Sequence, residues 1–244
     1  MCVLACAWAA HPRWKLILIG NRDELHARAA APLARWDDWP HIIAGRDLEA
    51  GGTWLGVSEE RRVAVVTNVA NLDGPQPGKA SRGALIADML SGNGRYANPA
   101  ASDLDDFNPF NAIAVSNDSA HILTNRPEPF RRTLEPGIYG LSNSIYSESW
   151  AKTDRIKRML SDWLELDNGD DAQLLDALRG DDAPQVAPEQ ARHSPIFIRN
   201  NLYGTRCSTV VTVDDRGRGS IAERRYDRAG EATGETRLTF SWAP

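Results

Sequence analysis

Residues 2–9 read Cys-Val-Leu-Ala-Cys-Ala-Trp-Ala, with no polar side chain on either face of a strand. A run of that kind is a strand covered on both sides, and it must sit inside a layered fold. Residues 16–19 form a second buried strand. Ala10, His11, Pro12, Arg13 and Trp14 between them carry turn chemistry, so the two strands read as a hairpin. Further strands are expected at 42–44, 53–57, 62–67, 112–116, 120–124, 138–141, 205–213, 220–226 and 236–242. Ser81 reads as the N-cap of a helix running through residue 90. Residues 150–164 carry Ile156, Met159, Leu160, Trp163 and Leu164 at helical spacing, and 171–178 is a third helix. The stretches 72–79 and 180–195 are rich in Pro, Gly or polar residues and read as loops. Strands come in a block, then helices, then strands. That order points to mainly antiparallel sheets with packed helices, not to a doubly wound parallel sheet. There is no G-x-G-x-x-G and no P-loop.

The first hairpin makes a geometric prediction. With the turn at 11–13, opposed residue numbers sum to 24, so Leu18 faces Cys6, Gly20 faces Leu4 and Arg22 faces Cys2. Directly opposed side chains lie ~5 Å apart at Cβ on one face. The Arg22 guanidinium is therefore expected over the Cys2 thiol, where it would lower the thiol's pKa. A slip of one residue would put Asp23 there instead.

Composition narrows the function classes. The net charge of −5 over 244 residues lacks the basic field of a nucleic-acid binder. No run approaches the ~18 apolar residues of a membrane-spanning helix. The apolar start has neither the basic n-region nor the length of a secretory signal, so a cytoplasmic location is expected. Three cysteines, Cys2, Cys6 and Cys207, without a C-x-x-C pair read as reduced thiols, with no metal site of that kind.

Gly20-Asn21-Arg22-Asp23-Glu24 is the motif that names the NRDE family, also called the transport-and-Golgi-organisation protein 2 family, and here it stands complete after an N-terminal Met-Cys. Other blocks resemble that family in order: Gly51-Gly52-Thr53-Trp54-Leu55-Gly56, Thr67-Asn68-Val69, Tyr139-Gly140-Leu141-Ser142-Asn143-Ser144, Ser194-Pro195-Ile196-Phe197-Ile198 and Tyr203-Gly204-Thr205-Arg206-Cys207-Ser208-Thr209. Two blocks depart from it. Ala70-Asn71 replaces an Arg that often follows Thr-Asn, and Ser149-Trp150-Ala151-Lys152 stands where Pro-Trp-Pro-Lys is common. The resemblance implies one domain over 1–244 with a four-layer αββα sandwich of the N-terminal-nucleophile-hydrolase kind.

The family is in turn similar to N-terminal-nucleophile amidases. By position their site residues map to Cys2, Arg22, Asp23, Asn68, Asn143 and Arg206, with Glu24 competing with Asp23 and Asn71 with Asn68. In that scheme Met1 is removed, the freed α-amine of Cys2 takes the thiol proton, and the sulfur attacks an amide or acyl-thioester carbonyl. Asp23 would hold the ammonium, and Asn68 and Asn143 would donate to the oxyanion. Arg22 and Arg206 would favour thiolate or hold an anionic group of a small or lipid-like substrate. No cofactor is required. The alternative implied by the family is a non-catalytic haem or lipid carrier. Haem would draw on His11, His26, His41, His121, His193 or a cysteine thiolate, with His26 the best placed.

Overall fold

The computed structural model describes residues 2–70, 74–166, 169–180 and 195–242. Strands β1 (Val3–Trp8), β2 (Trp14–Leu25), β3 (Ala30–Arg35), β4 (Ile42–Asp47), β5 (Leu55–Ser58) and β6 (Arg62–Asn68) lead into helix α1 (Arg82–Ser91). Strands β7 (Phe110–Ser116), β8 (Ser119–Thr124), β9 (Phe130–Thr133) and β10 (Gly137–Leu141) precede helices α2 (Ala151–Leu166) and α3 (Ala172–Leu178). Strands β11 (Tyr203–Asp214), β12 (Arg218–Tyr226) and β13 (Ala232–Ser241) follow.

These strands make two antiparallel sheets, ordered β10-β1-β2-β11-β12-β13 and β3-β4-β5-β6-β7-β8-β9. The period-two side-chain alternation builds the layers. Leu4, Cys6, Leu16 and Leu18 of the first sheet meet Ile43, Val57, Val65 and Ile113 of the second in the central core. The alternate residues Val3, Ala5, Ile17 and Ile19 face outward and are covered by Ile156 and Leu160 of α2 and by Leu174 and Leu175 of α3. On the far side Ile42, Ala64 and Ala112 pack under Leu85, Ile86 and Leu90 of α1. The result is helix, sheet, sheet, helix: the four-layer αββα sandwich expected, with β1 covered on both faces.

Two glycines set close approaches that shape the site. A Cβ at Gly20 would lie 2.8 Å from the Val3 carbonyl oxygen and 2.9 Å from the Leu4 Cβ, so β1 and β2 draw together beside Cys2 only because position 20 is bare. A Cβ at Gly52 would meet the Gly83 carbonyl carbon at 2.2 Å, so the start of α1 is seated directly on the turn before β5. Ser81 caps that helix by accepting from Ala84 N–H, as its sequence implies.

The differences from expectation lie at edges and ends. β2 continues through the polar motif to Leu25 because β1 and β11 flank it on both sides. β3 and β9 were not anticipated. Each is an edge strand, one holding Pro32 and the other Arg131 and Arg132, and an edge strand needs neither alternation nor an apolar face. The strand expected from residue 53 starts at Leu55, because Thr53 N–H donates to the Gly83 carbonyl of α1 instead. The loop expected at 180–195 falls almost wholly outside the described residues, as does the start of the one at 72–79. Among the described residues no helix is long and apolar enough to cross a membrane.

Candidate active site

The hairpin register follows the predicted sum of 24: Val3 faces Asn21, Leu4 faces Gly20 and Cys6 faces Leu18. Carried one step past the last pair, that register puts Cys2 opposite Arg22. On its other side β1 pairs with β10 through Leu4 and Leu141, and the same register carried on brings Asn143 beside Cys2. β11 reaches the same point from the far edge of β2, with Cys207 facing Arg22. Cys2 and Cys207 are thus two strand spacings of about 4.8 Å apart, wider than the ~7 Å between Cα atoms that a disulfide tolerates. All three cysteines are free thiols.

Cys2 is half-buried at the wall of a cavity of about 440 Å³. Arg22, Asp23, Glu24, Asn68 and Arg206 line it too. Asn143 does not line it. Its Nδ2 donates to the Asn68 carbonyl at 2.6 Å, and its own carbonyl accepts from Ala70 N–H at 2.8 Å, so it ties the end of β6 to the end of β10. One of its two amide N–H groups is thus committed to backbone, and the side chain stands outside the cavity lining. Asn71 lies outside the described residues.

Burial is the main influence on the Cys2 thiol and pushes it up from the ordinary range; the Asp23 carboxylate adds to the rise, while the Asp23 backbone N–H and the Arg22 guanidinium pull it down. The expected lowering by Arg22 is real in direction but outweighed. One reason is that the guanidinium is shared: Arg22 Nη2 lies 3.4 Å from Asp47 Oδ2 and 3.8 Å from Glu24 Oε2. Cys6 is quieter still, because full burial in the central core pushes its thiol up to about 12. Burial also raises Cys207 well above its ordinary value.

Asp23 is buried, and its Oδ1 accepts from the Thr205 hydroxyl at 2.6 Å. Burial raises its carboxyl to about 6, against the pull of Lys152, Thr205 and Arg22. Glu24, the rival, is half-exposed and spends Oε1 on its neighbour's Leu25 N–H. The motif's first residue has another task. Asn21 is fully buried, its Nδ2 donates to the Leu178 and Ile196 carbonyls at 2.9 Å each, and its Oδ1 accepts from the Ser208 hydroxyl at 2.6 Å. It fastens α3 and the segment before β11 to β2.

Arg206 sits at a β-bulge between Thr205 and Cys207, a device that re-aims a side chain. Its Nη1 donates to the carbonyls of Leu25, His26 and Arg28 at 3.0–3.2 Å. Arg82, the first residue of α1, also reaches the cavity and donates to the Pro109 carbonyl at 3.0 Å. Among the described residues neither guanidinium has a carboxylate partner. Burial, with Arg22 adding to it at Arg206, pushes both down from the ordinary guanidinium range. Seven cationic and four acidic side chains line the cavity, so its field is positive although the chain is acidic overall.

Lys152 was not singled out from the sequence as a site residue. It is 1 % exposed at the start of α2, with Nζ 3.5 Å from Asn143 Oδ1. The signal was present: Lys152, Ile156 and Leu160 are spaced by four, so the apolar stripe of α2 runs upstream into this lysine. Of the histidines, His26 Nε2 is bonded to the Asn200 carbonyl at 2.8 Å and His121 lines a different cavity. His193 lies outside the described residues, and no described histidine lines the Cys2 cavity. No cluster of three or more metal-binding side chains occurs among the described residues.

Comparison with known proteins agrees with the motif order. The family described as transport and Golgi organisation 2 matches residues 1–228. The transport and Golgi organization 2 homologue of Mus musculus is 29 % identical over 256 residues, covering 92 % of each chain. That of Homo sapiens is 29 % identical over 258 residues, again covering 92 % of each. Among solved structures, the Caenorhabditis elegans N-acylethanolamine-hydrolyzing acid amidase ortholog superposes with a TM-score of 0.49 and 15 % identity, over 86 % of this chain and 92 % of that one.

Proposed function

We propose that this chain, which belongs to the transport and Golgi organisation 2 family, is an N-terminal cysteine hydrolase that cleaves the amide or acyl-thioester bond of a small or lipid-like substrate carrying an anionic group. One observation carries the reading: Cys2, just ahead of β1, shares the wall of a positively charged cavity with Arg22 and Asp23. With Met1 removed, the Cys2 α-amine accepts the thiol proton and the sulfur attacks the substrate carbonyl carbon. The tetrahedral oxyanion collapses, the C–N or C–S bond breaks, and the leaving group takes the proton from the ammonium. Water then hydrolyses the acyl-Cys2 thioester, releasing the carboxylic acid and restoring the thiol. Asp23 holds the ammonium between these steps. Asn68 stands on the cavity wall, where it can donate to the oxyanion. Arg206 and Arg82, without carboxylate partners among the described residues, receive the anionic group.

The scheme carries a pH signature. Asp23 must be a carboxylate to hold the ammonium, and its value is about 6. Hydrolysis of an N-acyl amide or acyl thioester is therefore expected to fall as pH drops through about 6, and kcat/KM measured from pH 5 to 8 reads it. The sign for stability is opposite. A carboxyl raised above its ordinary value favours the folded state below the ordinary carboxylate range, and that contribution is lost as pH rises through about 6. An activity profile flat from pH 5 to 8 contradicts the role of Asp23. A cavity that binds acyl ligands but turns none over supports carriage on the same scaffold instead.

A further inference from the structure

Lys152 breaks two rules that govern where a lysine can sit. It is 1 % exposed, although an ammonium is costly to take out of water. It also stands at the second position of α2, where the helix dipole presents its positive end and disfavours a cation. What surrounds it compensates only in part. Its three N–H donors have one acceptor among the described residues, Asn143 Oδ1 at 3.5 Å, and Nζ lies 5.6 Å from the centre of the Trp150 ring. Local rules broken at a buried ionisable group mark a place where function sets the residue.

The neighbours say which function. The β1–β10 pairing ends at Leu4 and Leu141, and Lys152 is held against Asn143 just beyond it, so the lysine approaches the Cys2 end of β1 from the β10 side. Burial pushes the ammonium down from the ordinary lysine range, and the Asp23 carboxylate and the Cys2 sulfur hold it up. The charged and titratable groups acting on Cys2 from the elements around it are Arg22 and Asp23 of β2, Cys207 of β11, Arg82 of α1 and Lys152 of α2. Arg22 is shared with Asp47 and Glu24, and Arg82 is tied to the Pro109 carbonyl. Lys152 has no acid of its own at ion-pair distance among the described residues.

We infer that Lys152 is the fixed counter-charge of the Cys2–Asp23 pair, a positioning residue that keeps the carboxylate ionised and fixes the pH at which the Cys2 sulfur becomes nucleophilic. The inference deepens the proposed hydrolase reading and rests on Cys2 being its nucleophile. Lys152 takes no proton from the thiol here; its charge stabilises the anion that the α-amine creates. It also lets one carboxylate serve two cations, because an Asp23 held ionised by Lys152 remains available to the ammonium.

The test is the pH profile of Cys2 alkylation by iodoacetamide, mapped by peptide mass on the full chain. The parent protein and Lys152→Arg are expected to share a midpoint. Lys152→Met is expected to move it upward, with alkylation at pH 7.5 about tenfold slower. A purely structural lysine would lower the melting temperature of Lys152→Met and leave the midpoint in place, which overturns the inference. Should Lys152→Met fail to fold, side-chain nitrogen NMR of the unmutated protein, with its four lysines, decides the matter. One Nζ signal is expected to titrate below the other three and to move lower still once Cys2 is alkylated; a Lys152 signal indifferent to alkylation overturns the inference. Neither readout uses a substrate, so a protein that hydrolyses nothing still passes or fails here.

Discussion

A Cys2→Ala protein is expected to lose hydrolysis by at least about a thousandfold while keeping its fold. The scheme has one nucleophile, and neither of the other thiols can replace it. Cys6 is sealed in the central core with its thiol raised to about 12. Cys207 reaches the cavity wall but is 6 % exposed, and burial and Glu223 raise its thiol well above the ordinary range. Removing a half-buried sulfur ahead of β1 costs little packing, because the strand's own anchors, Val3 to Trp8, are untouched. Initial rates on acyl amides and acyl thioesters, with a thermal melt of the same sample, check both halves. A Cys2→Ala protein that turns over substrate at the parent rate removes Cys2 from the chemistry.

The second large effect concerns stability. Asn21→Ala is expected to cost about 3 kcal/mol, because it leaves the buried Leu178 and Ile196 carbonyls without this donor at once and leaves the Ser208 hydroxyl with Tyr226 alone. In a chain of this length that lowers the melting temperature by roughly 10 °C. Asn21 thus serves the scaffold, whereas the next two residues of the motif, Arg22 and Asp23, line the cavity. A melt of Asn21→Ala that matches the parent would show that α3 and the segment before β11 are held by other contacts.

Much of the site was legible because a tight hairpin converts sequence spacing into register. Once the turn at 11–13 is read, Arg22 has one place to go, and the observed pairing of Val3 with Asn21 puts it there. The buried strands and the amphipathic α2 were legible for the same reason: their apolar periods report which faces are covered. What the sequence hid has three physical causes. Edge strands such as β3 carry no alternating face. The bulge at Arg206 arises from pairing between segments some 180 residues apart, which local pattern does not encode. Side-chain partners were hidden as well. Nothing in Asn143 alone says that its amide binds the Asn68 carbonyl, and a lysine at a helix start reads as solvent-facing until the stripe of Ile156 and Leu160 is followed back to it.

The central claim is that the Cys2 sulfur forms a covalent acyl intermediate. The most direct measurement is a mass spectrum of the full chain, with Met1 removed, acid-quenched within seconds of mixing with an activated acyl thioester. The account predicts a single acyl adduct on the peptide that begins with Cys2, absent from Cys2→Ala and decaying as free acid appears. Turnover with no adduct at Cys2, or an adduct on Cys207 or another residue, would contradict it.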